Sequence, residues 1–437
     1  MRRIGIIGGG VAGLSATFEA VEHGAEVTIL EALPHLGGRA AAGKNWDTGR
    51  HLVSSSYYDF LQLTNHLRTT SALTLSPMAL GIIEGRRKPF WYMNIPLLGN
   101  IAPLAGLITS GFIPLSHSLN ALKSLMKIVG EYVTEPSDKE LIGTGNSAIS
   151  AADGLTISQY MDNSRWSELL QKRFGNPSAI GMCNLSPVEA AVEPFILAMK
   201  RIFHEPDKRA GWVHGDAGRL ITNPAPDILA ENGITVRLKT KVDEVRLGNL
   251  GWKVKFSGEW EDFDAVIITV PPSRLDFLDN CEQAEELVNA AKEISGCRII
   301  TIRASFDGIE ALPGPIAEGS NPYPVWFAEP SPRGGVLLER VLSGMLGSYK
   351  PDINLLKEEF VSRAKDYFNA TEVISEIQVR PYMNATPSIK PGTKRPKLKQ
   401  SDNLYYAGDW SDTGLPPTLE SAARAGRLAG KAAALKL

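Results

Sequence analysis

The stretch Ile4-Gly5-Ile6-Ile7-Gly8-Gly9-Gly10-Val11-Ala12-Gly13 leaves little freedom in how this chain begins. A short apolar run breaks into glycines and then continues as Leu14-Ser15-Ala16-Thr17-Phe18-Glu19-Ala20. That pattern predicts a buried parallel strand, a tight turn and a helix. Gly8 permits the turn, Gly10 lets backbone approach a pyrophosphate, and Gly13 lets helix and strand pack closely. The helix N-terminus, at Val11 and Ala12, offers unpaired N–H groups and a positive dipole end to phosphates. After Gly24, residues 26–30 read as a second strand, and Glu31 follows 18 residues beyond Gly13. A carboxylate at about that spacing takes the ribose hydroxyls of an adenosine. Strand, turn, helix, strand and acid in register predict a dinucleotide site.

Composition narrows the remaining classes. The 437 residues suit two domains with a real apolar core, and a net charge of −2 argues against nucleic acid as a partner. Cys183, Cys281 and Cys297 are scattered and odd in number, so neither a disulfide framework nor a metal site is expected. A reducing cytosol fits best. Met1-Arg2-Arg3 before an apolar run mimics an export signal, but the run is broken by glycine, leads into Glu19 and Glu22, and already serves as a strand.

Directly after Glu31 and Ala32 comes Leu33-Pro34-His35-Leu36-Gly37-Gly38-Arg39-Ala40. A second glycine pair with a fixed cation suits a loop folded back over the pyrophosphate and the sugar beyond it. In this form and position it resembles the second glycine motif of the flavin amine oxidase and carotenoid desaturase superfamily. The resemblance implies a Rossmann-like α/β domain binding FAD, with a discontinuous α+β substrate domain. It also implies that an Asp-x-Gly segment, here Asp47-Thr48-Gly49 with Arg50 and His51, brings backbone beside the isoalloxazine ring. The boundaries expected are 1–75, 210–272 and 400–437 for the cofactor domain, with 76–209 and 273–399 for the substrate domain.

Residues 89–122 contain no charged side chain. Their length would allow a membrane span, but Pro96, Pro103 and Pro114 with Gly99, Gly106 and Gly111 argue against one continuous spanning helix. Two readings remain: buried helices of the second domain, or monotopic helices dipping into a membrane interface and giving peripheral contact on the inner face of the cytoplasmic membrane. Residues 155–161 read as a helix capped by Thr156 or Ser158, and 183–191 lead into an apolar helix through Met199, both walls of a substrate cavity. Strands are expected at 234–238, 241–247, 252–256, 264–272, 299–306 and 335–342, and a helix at 354–368. The superfamily's order implies that a backbone pair near Val242 holds the adenine. Lys390, Lys394, Arg395, Lys397 and Lys399 read as a solvated basic connector, with anionic headgroups as the alternative partner.

Residues 403–407 form a strand ending in Gly408-Asp409-Trp410, and an acid there suits a hydroxyl of a ribityl chain. Pro416, Pro417, Thr418 and Leu419 lead into a helix of small residues. Its positive end would face the flavin N1/O2 edge and stabilise the charge that appears on reduction. The run from Ala407 through Ala422, with Gly49-Arg50-His51-Leu52 and Asn184-Leu185-Ser186-Pro187, resembles the hydroxysqualene dehydroxylase branch of the FAD-dependent desaturases. Arg50 stands where that branch usually has glutamine. The branch implies an isoprenoid substrate, hydroxysqualene, whose allylic hydroxyl is replaced by hydride from reduced flavin in squalene and hopanoid formation. A dry apolar tunnel and a proton source are then required; His51 is the candidate donor, with Asp412 or a water as rivals. A carotenoid-type desaturase would run the same architecture oxidatively. A flavin amine oxidase would present an aromatic cage, and a prenyl-lipid carrier would need no tuned flavin. No protein partner is identifiable.

Overall fold

The computed structural model of the chain describes residues 1–41, 51–73, 75–85, 89–93, 111–131, 133, 135–142, 154–205, 209–212, 217–319, 324–331, 334–345 and 352–437. A six-stranded sheet runs in the order Lys399–Ser401, Leu404–Tyr406, Ala265–Ile268, Arg2–Ile7, Ala25–Leu30, Thr235–Arg237. Its pairings are parallel except at the Lys399–Ser401 edge, and Ile4 sits between Val27 and Ala265. The central strands are apolar runs because both faces are covered. On one face lie the helices Val11–Glu22 and Leu419–Leu435, packed through Ile4, Ile6, Leu14 and Leu428. On the other, the antiparallel ribbon Val242–Leu247, Trp252–Phe256, Glu259–Phe263 packs on Ile7, Leu30, Val266 and Ile268.

Those two helices approach very closely. A Cβ at Gly426 would stand 2.1 Å from the Ala12 carbonyl oxygen, and one at Gly430 2.3 Å from that of Ala16. First and last segments of the chain therefore form one body, with a single strand between Arg2–Ile7 and Leu404–Tyr406.

A seven-stranded sheet holds the second core, in the order Gln378–Pro387, Gly296–Phe306, Val336–Met345, Val325–Pro330, Ile316–Glu318, Ala79–Ile83, Phe90–Met93. The helix Ile353–Phe368 covers it, Phe360 stacking on Trp326 with ring centroids 5.5 Å apart. Helices Ser118–Gly130, Asn176–Cys183 and Val192–His204 build a third apolar cluster beside it. The helix at Ile157–Asn163 starts with a capping box, Thr156 accepting from the Gln159 N–H.

Two expectations change here. The uncharged stretch 89–122 does not begin as a helix: Phe90–Met93 is an antiparallel edge strand on Ala79–Ile83, its alternation masked by apolar residues on both faces. Residues 94–110 of that stretch lie outside the described residues. The basic connector is not uniformly solvated either. Arg395 is half-buried and donates to the carbonyls of Asp409, Trp410 and Ser411, while Lys390 pairs with Glu189 at 3.1 Å.

Candidate functional site

A cavity of 1170 Å³ opens at the carboxyl ends of the parallel strands and extends between the sheets. Single small-molecule pockets span roughly 300–1,000 Å³, so this space exceeds one ordinary ligand. Its two ends differ in chemistry. One end is lined by Gly8, Gly10, Glu31, Arg39, Thr269 and Asp409; the other by Leu80, Phe174, Met199, Phe203, Phe327 and Val341.

At the polar end the turn after Arg2–Ile7 follows the expected logic. Gly8 has φ +108°, and a Cβ there would sit 2.8 Å from the Thr269 hydroxyl. Gly13 does not line the cavity; its Cβ would meet the Gly8 carbonyl oxygen at 2.0 Å, so hydrogen is the only substituent that fits between helix and turn. Gly10 does line it, and a Cβ there would meet nothing nearer than the Gly38 Cα at 3.9 Å. The helix begins at Val11 with neither a side-chain cap nor an acid in its first turn. Its orphan N–H groups therefore stand at the cavity wall, the arrangement that binds phosphate.

The second glycine pair crosses directly over the first. The Gly37 N–H donates to the Gly9 carbonyl at 2.8 Å, and Gly10 and Gly37 form a parallel bridge. Gly37 and Gly38 both take positive φ, which carries Arg39 and Ala40 to the cavity. Glu31, buried just past its strand, accepts the Gly9 and Leu33 N–H groups at 2.7 Å each, and with Ala32 it lines the cavity.

Front and tail meet at Arg39, whose Nη2 donates to Asp409 Oδ1 at 2.5 Å and whose Nη1 donates to the Ala385 carbonyl at 3.2 Å. Partial desolvation pulls the pKa of Arg39 down, but the paired Asp409 outweighs it and holds the guanidinium above its ordinary range. Sequence reading had Arg39 and Asp409 as separate ligand groups; they form one ion pair, and no local pattern announces a contact between residues so distant along the chain. Gly408, Thr418 and Leu419 line the same wall, and Thr418 caps the last helix by accepting from the Ser421 N–H.

Several expected residues stand elsewhere. Val242 and His51 line the cavity, but Gly49 and Arg50 lie outside the described residues. Pro416 is not among the lining residues, its place being taken by Pro417. Asp412 is exposed, off the cavity, with its N–H on the Pro396 carbonyl and its charge near Arg395. Two tyrosines were missed. Tyr57 lines the cavity and bonds to Thr418; burial, then Glu420, push its phenol up to about 12. Tyr406 lies behind Gly408, donating to the Val270 carbonyl at 3.1 Å, and burial followed by Asp409 raises it as well. Both phenols stay protonated at neutral pH. Burial likewise raises Cys183 to about 12 and Cys297 to about 11, so neither is a thiolate.

Among the described residues no cluster of side chains could hold a metal ion, and no helix is long and apolar enough to cross a membrane. The polar end fits a dinucleotide: an open cradle at Gly10, orphan N–H groups, a buried carboxylate and a cation. The adjoining wall of backbone, Asp409 and helix N-terminus fits a planar ring system that gains negative charge.

Comparison with known proteins agrees with this geometry. The family model described as flavin containing amine oxidoreductase matches residues 11–434. The chain is 25% identical to the hydroxysqualene dehydroxylase of Rhodopseudomonas palustris, over 98% of this chain and 97% of that protein. It is 22% identical to the 15-cis-phytoene desaturase of Arabidopsis thaliana, over 63% of this chain and 49% of that protein. Cyclohexylamine oxidase from Brevibacterium oxydans IH-35A shares the fold at a TM-score of 0.67 and 15% identity, over 99% of this chain and 98% of that one. The chain belongs to the flavin containing amine oxidoreductases, enzymes of FAD-dependent oxidation and reduction.

Proposed function

We propose that this protein reduces hydroxysqualene to squalene in squalene and hopanoid biosynthesis. The observation that carries the reading is the apolar lining of the cavity, with Leu80, Phe174, Met199, Phe203, Phe327 and Val341, which suits a long hydrocarbon that offers no polar partners. Similarity to a hydroxysqualene dehydroxylase along nearly the full length of both chains supports it.

Bound and reduced, FAD supplies the hydride. The chain's own groups do the rest. Gly8, Gly10, Val11 and Ala12 cradle the pyrophosphate, Glu31 and Ala32 take the ribose, and Val242 the adenine. Gly38, Arg39 and Ala40 close over the nucleotide. Asp409, oriented by Arg39, would hold the ribityl chain, and the helix end at Thr418 and Leu419 would serve the ring system. The segments 1–75, 210–272 and 400–437 hold the cofactor; 76–209 and 273–399 enclose the substrate. His51 donates a proton to the departing hydroxyl, so that the C–O bond breaks to give water and a delocalised allylic cation. Hydride supplied by reduced flavin, when bound, would form the new C–H bond at that carbon. The apolar walls exclude water, which would otherwise return the alcohol.

The test is anaerobic mixing of photoreduced enzyme with hydroxysqualene. Squalene formation with stoichiometric return of the oxidised flavin spectrum is expected. Turnover of phytoene by oxidised enzyme, with no squalene formed, would replace this reading by the desaturase one, which the similarity to phytoene desaturases favours.

A further inference from the structure

We propose that the segment 115–130 is a docking surface for an anionic lipid bilayer. The turn Leu115–His117 runs into the helix Ser118–Gly130, whose Ala121, Leu125 and Ile128 are buried in the apolar cluster shared with Val192–His204. The opposite face is apolar too. Leu115, Leu119, Leu122 and Met126, at spacings of four, three and four, are 81%, 72%, 36% and 58% exposed. Single exposed apolar residues are ordinary, whereas three in one helical stripe, continued by Leu115 in the turn before it, mark an interaction surface.

The charges beside the stripe choose the partner. Lys123 and Lys127 are exposed on the same face, and residues 111–130 contain no Asp or Glu. A helix with leucines to immerse, lysines at its flank and no acid suits the headgroup boundary of an anionic membrane. A second copy is a poorer occupant, because a two-fold contact through this face sets the same lysines toward one another. The position suits the site as well. Met199, Ile202 and Phe203 of Val192–His204 line the cavity, so the surface lies one helix away from its apolar end. Delivery of substrate from the bilayer rests on the isoprenoid reading above; lipid binding does not.

The experiment is co-sedimentation of the full-length, FAD-loaded protein with phosphatidylglycerol/phosphatidylcholine vesicles and with pure phosphatidylcholine vesicles. Binding to the anionic vesicles is expected, weakening as salt rises from about 0.05 to 0.5 M. At roughly a fivefold contribution per lysine, K123E/K127E should weaken it about 30-fold or more. L119E/M126E should lower it at least about tenfold on both vesicle types. Flavin content and thermal midpoint check the fold, and L115E, at the most exposed position, gives an independent variant. Wild-type protein that ignores anionic vesicles, or variants that bind like wild type, overturns the proposal. A dimer dissolved by L119E/M126E without vesicle binding overturns it in favour of a second copy. Vesicle binding with no squalene formed leaves the surface standing and removes only the substrate reading.

Discussion

Replacing Gly426 by alanine sets two effects of opposite sign against each other. In an isolated helix the change stabilises by about 1 kcal/mol, since glycine loses more backbone freedom on folding. Here the new Cβ would stand 2.1 Å from the Ala12 carbonyl oxygen, where ordinary contact begins at 3.4 Å, a shortfall of 1.3 Å (3.4 − 2.1). Relief requires the last helix to lift from the first. A gap of ~0.5–1 Å already forfeits a quarter to a half of each dispersion contact, and overpacking of this kind costs about 1–3 kcal/mol. With Gly430 comparably close to Ala16 and Ala423, Ala425, Ala429 and Ala432 all buried in the same helix, the upper end applies. The balance is a net loss of about 2 kcal/mol. Lifting the helix also withdraws Thr418 and Leu419 from the cavity wall, so flavin retention should fall together with stability. Urea unfolding of the flavin-free protein, followed by tryptophan fluorescence, reads the first effect; the flavin-to-protein absorbance ratio reads the second. Gly130→Ala is the control, since a Cβ there meets nothing within 4 Å at the end of its helix. A Gly426→Ala midpoint equal to or above wild type would refute the close-contact argument.

Glu31→Ala removes the acceptor of the Gly9 and Leu33 N–H groups; at ~1.5–3 kcal/mol per charged hydrogen bond the glycine turn loosens, and purified protein should carry little flavin, whereas full occupancy would contradict the ribose assignment. For the Arg39–Asp409 pair, the double-mutant cycle Arg39→Ala, Asp409→Ala on flavin affinity should show a coupling of about 1–3 kcal/mol, and additive effects would mean that the pair does not act as a unit. Burial and Asp59 raise Glu420 to about 7 in the folded protein, against an ordinary 4.5. The folded state then binds the proton more tightly than the unfolded state, so this group's contribution to stability falls as pH rises between about 4.5 and 7, by up to ~3 kcal/mol. Glu420→Gln should remove that slope from the unfolding free energy; an unchanged slope assigns it elsewhere.

What the sequence makes legible is what backbone chemistry enforces locally. Gly8 needs its φ, Gly13 its missing Cβ, and Glu31 its place at a strand end, so residue type and spacing carry the geometry. The helix cap at Thr156 and the strands around Val242 and Val266 are similar in kind. Long-range partners are not legible. Phe90–Met93 is apolar throughout and therefore reads equally as a buried helix; only its pairing with Ala79–Ile83 decides. The strand Gln378–Pro387 carries Pro381 and Pro387, which argue against a strand until it is found at the sheet edge. Arg395 looked like one more surface cation, because nothing nearby in sequence marks the three carbonyls it serves. Tyr57 carried no motif at all; its role at the cavity follows from Thr418, brought in from the other end of the chain.

The joint between the two halves of the cavity is ionic, and this has a consequence for the chemistry. Arg201, on the helix Val192–His204 that supplies Met199 and Phe203 to the substrate end, donates to Glu420 at 2.7 Å in the first turn of the last helix. Glu135 bridges Arg201 and Arg424, while Asp59 takes Arg427. Glu420 also accepts the Phe60 N–H at 2.9 Å, fixing the helix that follows Tyr57. An apolar seam would tolerate sliding by a fraction of a turn with little penalty. A seam of buried charges does not, because each slip strands a carboxylate or guanidinium without its partner at about 3–5 kcal/mol. Hydride transfer requires donor and acceptor atoms within roughly 3–3.5 Å. A cofactor wall on one element and a substrate wall on another meet that tolerance only if the elements keep their register. The buried network at Arg201, Glu420 and Asp59 supplies that constraint, so conservative changes there, such as Arg201→Lys, should depress turnover more than flavin binding.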